Sequence, residues 1–193
     1  EEEGGIVGTG SAPGMAPAGD LESLMSGYQQ SNHGAAAAFI ERVSPLLRRY
    51  FLAQVANRGY AEDLVQETWM RIHKARHTYR PSEPVLPWIF AIARHTGLDN
   101  YRKTRRLETH ERQVDVLPEP PSAPPAAGRS TPDMDAILAA LPDTQREVIV
   151  MLKVFGMTID EVARATSSSA GSVKQKAHRA YEKLRELLSG GVV

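Results

Sequence analysis

The sequence predicts an all-α protein: two small helical bundles joined by a Pro-rich, flexible linker. Three observations carry this. Apolar residues recur at helical spacing along most of the chain, whereas sustained alternation of polar with β-branched residues is scarce. Near the middle, "LPEPPSAPPAAGRSTPD" (Leu117–Asp133) has prolines every few residues and almost nothing apolar larger than alanine, so it has no surface with which to offset the entropy of folding. Strongly patterned helical sequence abuts both ends of that stretch.

The helices follow in order. Residues 1–19 are acidic and rich in Gly, Ala and Pro, and read as a disordered tail without the layout of a signal peptide. From Leu21 to Val43 the apolar positions Leu24, Tyr28, Ala35, Ala38, Phe39 and Val43 keep helical spacing, with a break at "SNHG". Ser44-Pro45 reads as an N-cap followed by proline in the first turn of a second helix, which carries Leu46, Leu47, Tyr50, Phe51 and Val55 as far as "NRG". A third helix is expected from about Ala61 to Arg76. Three prolines within "HTYRPSEPVLP" then enforce a loop. A fourth helix opens at Pro87-Trp88 and reaches roughly Arg106. Beyond the linker, Met134–Ala140, Thr144–Val154, Ile159–Ala165 and Ser172–Leu188 read as helices. The predicted organisation is therefore 1–19 tail, 20–110 first bundle, 111–132 linker and 133–190 second bundle. Roughly 25 proline-rich residues at about 3.1 Å each span on the order of 75 Å when extended.

Basic and acidic side chains are equal in number, 23 of each, yet they are segregated along the chain. Arg102, Lys103, Arg105 and Arg106 close one patterned block and Lys174, Lys176, His178 and Arg179 sit together in another, while acids gather around Glu62, Asp63 and Glu67. A polyanion responds to the local field more than to the sum. The absence of Cys excludes disulfides and thiolate metal sites. His73 and His77 share an i, i+4 spacing without HExxH or acidic partners, and no Gly-rich phosphate loop or nucleophile motif occurs, so no metal, cofactor, small-molecule substrate or catalytic residue is expected.

Three surfaces stand out. On the third helix Leu64, Val65, Thr68, Trp69, Ile72 and Ala75 form the core stripe, and the opposite side presents Asp63, Gln66, Glu67, Met70 and Lys74. A soft apolar centre with a polar rim suits a docking patch. The fourth helix begins "WIFAIA", apolar on every side, and ends "DNYRKTRR", where a tyrosine interleaves with cations. Aromatics beside Lys and Arg suit single-stranded nucleic acid, although an ordinary core helix with a basic last turn has the same composition. The last block reads as helix, turn, helix. Thr158 and Glu161 have capping-box spacing, and Ser172 reads as the N-cap of a final helix whose buried stripe is Val173, Ala177, Ala180, Tyr181, Leu184, Leu187 and Leu188. Its other face carries Ser172, Lys174, Gln175, Lys176, His178 and Arg179, as a helix entering the major groove would.

Together "AEDLVQETWMRIHKA", "PWIFAIARHTGLDNYRKTRR" and "LPDTQREVIVMLKVFGMTIDEVA…GSVKQKAHRAYEKLRELL" resemble the extracytoplasmic-function (ECF) type of RNA polymerase sigma factor, within the sigma-70 family. The resemblance implies a sigma region 2-like and a sigma region 4-like unit. It implies that Asp63, Gln66, Glu67 and Met70 dock on core RNA polymerase. It also implies that Trp88, Arg94, His95, Asn100, Tyr101, Arg102, Lys103, Arg105 and Arg106 bind −10 promoter DNA, with the loop His77–Pro87 helping to hold a flipped-out base. Ser172, Lys174, Gln175, Lys176, His178 and Arg179 would enter the −35 major groove. Such a chain is expected to be a cytoplasmic monomer that does no bond chemistry and is held in check by an anti-sigma factor, membrane-bound in some cases. Three departures are visible: His95 stands where the family usually has Asn, "TSSSAG" replaces the Leu-Gly of the usual turn, at a place that commonly requires positive φ, and the basic run of the last helix ends at Tyr181, where Arg is frequent. A stand-alone helix-turn-helix regulator and a sigma mimic that titrates an anti-sigma factor are the alternative readings.

Overall fold

The computed structural model describes residues 18–55, 57–111 and 132–189. Positions 1–17 of the expected tail and positions 112–131 of the expected linker lie outside the described residues. Those described form helices and turns, with no strand among them. The first unit comprises α1 (Ala18–Gln29), α2 (His33–Gln54), α3 (Arg58–Ala75) and α4 (Val85–Glu111), with a 3₁₀ turn at Arg76–Thr78. The second comprises α5 (Pro132–Ala139), α6 (Asp143–Ile149) with a π turn over Val150–Val154, α7 (Ile159–Ala165) and α8 (Ala170–Ser189). No helix among the described residues is long and apolar enough to cross a membrane.

Asn32 and Asn57 cap α2 and α3, each side chain accepting from the backbone N–H three residues on. The expected helix start at Ser44-Pro45 is not there, because α2 runs through Pro45. Ser44 Oγ donates to Ile40 O at 2.7 Å and accepts from Trp69 Nε1 at 3.1 Å, so the supposed cap is a mid-helix brace to α3. Phe39, Val43, Leu47, Tyr50 and Phe51, all buried, share one face across the proline, and burying that face outweighs the missing N–H. The expected starts at Ala61 and Pro87 lie three and two residues late, and α4 runs five residues past Arg106. Gly27 permits the close approach of α1 to α2, since a Cβ there would meet Ala35 Cβ at 2.6 Å.

The two units share one core. Phe90 and Phe155 stack with centroids 4.6 Å apart, and residues of both units belong to one apolar cluster. This explains the all-round apolar start of α4: Ile89, Phe90 and Ala93 are fully buried, with Phe90 covered from the second unit. Around that stack Tyr50 donates to Glu147 Oε1 at 2.7 Å, Arg94 Nε lies 3.3 Å from Glu147 Oε2, and Arg164 pairs with Glu83 at 3.2 Å. Arg146 donates to the carbonyls of Leu138, Ala139 and Leu141, which ties the end of α5 to α6, and reaches Ala53 O at 3.4 Å.

In the helix-turn-helix, the capping box at Thr158 and Glu161 is present as expected. The turn is a Schellman arrangement: Ser168 N–H donates to Ala163 O and Ser167 N–H to Arg164 O, with Ser167 at φ 51°. The demand for positive φ inferred from the sequence thus falls on Ser167. Ser167→Gly should raise the stability of the chain by about 1 kcal/mol, because the left-handed penalty on a Cβ-bearing residue is removed; urea unfolding measures it. Ser172 is not the N-cap of α8. Ser169 Oγ accepts the Ser172 N–H at 3.2 Å, and the helix starts two residues earlier than expected, at Ala170. Val173, Ala177 and Ala180 are buried, whereas Tyr181 and Leu187, expected in the stripe, are more than a third exposed; the side chain of Leu188 lies outside the described residues.

Candidate polymerase and promoter surfaces

The α3 face is formed as its periodicity requires. Leu64, Val65, Thr68 and Ile72 are buried, which turns Asp63, Gln66 and Met70 outward, with Met70 55% exposed. Glu67 sits among them but is not idle: Arg71 Nε donates to its Oε1 at 2.9 Å while Arg71 Nη1 donates to Asp99 of α4 at 2.7 Å. The Arg71 hydrogen bond holds the Asp99 carboxyl below its ordinary range. An apolar thioether therefore stands in solvent beside ordered acids, on a face backed by a rigid pair of helices.

On α4 the expected DNA-binding residues fall into separate groups. At 100° per residue Trp88, His95, Arg102 and Arg106 share one stripe. Trp88 is half-buried against Tyr79, with ring centroids 5.6 Å apart, while His95, Arg102, Lys103 and Arg106 are exposed. His95 Nδ1 donates to Ala91 O at 2.7 Å. Tyr101 is 59% exposed. The side chain of Arg105 lies outside the described residues. Two residues of the expected set are otherwise engaged. Asn100 Nδ2 donates back to Thr96 O at 3.1 Å, and Arg94 turns toward the second unit, where Glu147 takes its Nε. Nothing in the local pattern of α4 signals that pairing, because Glu147 lies 53 positions away.

On α8, packing of Val173, Ala177 and Ala180 against the second unit leaves Lys174, Gln175, His178 and Arg179 exposed, with Ser172 and Lys176 at the edges. His178 Nε2 lies 3.4 Å from Glu182 one turn on. The expected set is thus one continuous basic and amide face at the amino end of the helix.

Sequence reasoning missed Tyr50, Glu147, Glu22 and Gln29. Glu147 carries a faint signal, as an acid inside the apolar run "REVIVM"; Glu22 and Gln29 carry none.

Residues 39–107 match the sigma-70 region 2 family and residues 133–184 match sigma-70 region 4. RNA polymerase sigma factor CarQ of Myxococcus xanthus is 33% identical over 162 residues, covering 80% of this chain and 91% of that protein. ECF RNA polymerase sigma factor SigF of Caulobacter vibrioides is 32% identical over 159 residues, covering 79% and 87%. The chain belongs to the ECF RNA polymerase sigma factors. Among solved structures, the sigma factor RpoE of Bartonella quintana in complex with the anti-sigma factor NepR superposes with a TM-score of 0.63 at 27% identity, over 78% of this chain and 94% of that one. CnrH in complex with the cytosolic domain of CnrY gives 0.66 at 22% identity over 89% and 99%, a likeness of fold. As a member of this family, the ECF factor described here serves promoter-directed transcription initiation.

Proposed function

We propose that this sigma factor binds core RNA polymerase through Asp63, Gln66, Glu67 and Met70 on α3. It then opens and reads −10 DNA with the outer stripe of α4 and the loop before it, and reads −35 DNA with the Ser172–Arg179 face of α8. Residues 20–110 are the docking and −10 unit, 133–190 the −35 unit, and 111–132 the linker that lets each reach its element. The observation that carries this reading is the order of region 2 and region 4 on one chain, with an acid-rimmed methionine on the first unit and a basic groove-sized face on the last. Trp88, Tyr101 and the cations near them suit a displaced strand, with stacking for bases and charge for phosphates. Arg94 belongs to that set only once Glu147 releases it. The chain does no bond chemistry itself and acts in the cytoplasm, where polymerase is. An anti-sigma factor restrains it, a reading supported by the likeness to RpoE, solved with NepR.

The test is reconstitution. Core polymerase plus this chain should initiate at defined start sites on genomic DNA, and core alone should not. Initiation that never depends on the added chain overturns the proposal; a dimer footprint on palindromic duplex without polymerase would instead establish a stand-alone regulator. On α8, Arg179→Ala should weaken −35 duplex binding by about 1–3 kcal/mol. An undiminished footprint on the −35 duplex removes Arg179 from the reading face.

A further inference from the structure

Helix α1 lies outside the segment that matches region 2, which begins at residue 39, yet it holds both ends of the loop between α3 and α4. Leu21, Met25 and Tyr28 anchor it in the core. At its last residue, Gln29 Nε2 donates to Arg76 O at 2.7 Å and to Tyr79 O at 2.8 Å. Both protons of the carboxamide are therefore spent on two carbonyls that bracket the 3₁₀ turn. Glu22, seven residues earlier and so on the same face, accepts the Val85 N–H at 2.9 Å, one of the orphan donors at the start of α4. Its second oxygen is buried without a partner. Tyr28 OH lies 2.8 Å from His73 Nδ1 at the end of α3. Inside the loop, Tyr79 is buried against Trp88 and donates its hydroxyl to Glu83 O at 2.6 Å. Burial first, then the Glu22 and Glu83 carboxylates, push that phenol up to about 12, so it remains a donor at working pH. His77, Thr78, Arg80, Pro81, Ser82 and Glu83 face solvent. The loop has a fixed inner backbone and a solvent-facing outer edge, on which Glu83 is held by Arg164 of the second unit.

We infer that α1 is the positioning element of the −10 reader: Gln29 and Glu22 fix the two ends of the loop from Arg76 to Val85 and thereby set which base it prefers. This rests on the assignment of that loop to −10 recognition made above. Base discrimination needs donors and acceptors held to fractions of an ångström, and the loop's internal contacts, the 3₁₀ turn at Arg76–Thr78 and the Tyr79 hydroxyl on Glu83 O, shape it without fixing its ends to the bundle. The arrangement makes a chemical prediction that packing alone does not. Gln29→Glu keeps size and shape but replaces a double donor with a carboxylate facing two carbonyl oxygens.

The experiment uses the full chain with core polymerase on a promoter library randomised across the −35 and −10 regions, read by sequencing the transcripts. Gln29→Glu should lower discrimination at the −10 element about tenfold, as expected for loss of a partly buried hydrogen bond and its replacement by repulsion, and leave −35 preference and capture by core unchanged. Gln29→Ala should fall between it and the natural chain. Glu22→Gln, which keeps an acceptor for Val85, should read as the natural chain does, and Glu22→Ala should not. Should Gln29→Glu fail to fold, the Gln29→Ala and Glu22→Ala measurements decide. Unchanged −10 discrimination in those variants overturns the positioning role, as does a parallel loss of −35 preference and core capture. If Arg80→Ala and Ser82→Ala leave −10 preference intact while Gln29→Glu alters it, the loop assignment itself has failed and the inference falls with it; if the natural chain supports no initiation, the sigma reading has failed first.

Discussion

Lysine at both Glu67 and Met70 should abolish capture of this chain by core RNA polymerase while leaving its fold intact. Met70 is more than half exposed and contributes nothing to the core, so its replacement costs the monomer little. At an interface the same side chain would be a desolvated centre, and centres of this kind carry about 2 kcal/mol or more each. Glu67→Lys adds a reversal of charge on the rim and frees Arg71, which keeps Asp99 as its partner. The combined loss in affinity should exceed about 100-fold. A pull-down with tagged core, alongside circular dichroism melting, measures both halves of the claim. Full capture by the double variant would place the docking surface elsewhere.

The second large effect is expected at Glu147. Its carboxylate is buried and accepts from Tyr50 of α2 and Arg94 of α4. Burial of Tyr50, with the neighbouring carboxylate, raises its hydroxyl well above the phenol range, so Tyr50 stays a neutral donor. Glu147→Ala leaves a buried hydroxyl and a largely buried guanidinium without their acceptor. Stranding such groups costs about 2–4 kcal/mol, and the cost falls where the two units meet. The urea midpoint should drop and small-angle scattering should show a larger radius of gyration. Glu147→Gln, which retains an acceptor, should lose much less. A Glu147→Ala chain as compact and as stable as the natural one would mean that the Phe90–Phe155 stack holds the units together without help.

Most of the helices were legible in the sequence because amphipathic period, caps and prolines are local signals. Thr158 and Glu161 gave the start of α7, and the missing glycine in "TSSSAG" pointed to the strained residue that proved to be Ser167. Pro45 misled for the same reason that these succeeded: a local rule was applied where tertiary burial of Phe39, Val43, Leu47, Tyr50 and Phe51 decides. The exposed faces of α3 and α8 were legible too, since the residues opposite a buried stripe must face out. What joins Tyr50 to Glu147 across 97 positions, or Gln29 to Tyr79 across 50, leaves no periodic trace. The all-round apolar start of α4 was the exception, an excess of greasy surface that required a cover without saying which.

That cover has a thermodynamic consequence. Any ligand that grips both units only when they are apart must supply the work of exposing Phe90 and Phe155 to water, and its measured affinity is its intrinsic affinity multiplied by the fraction of chains already open. Each 1.4 kcal/mol in the seam dilutes that fraction about tenfold, so for such a ligand the Phe90–Phe155 stack, together with the Glu147 and Arg164–Glu83 contacts, would set the threshold concentration.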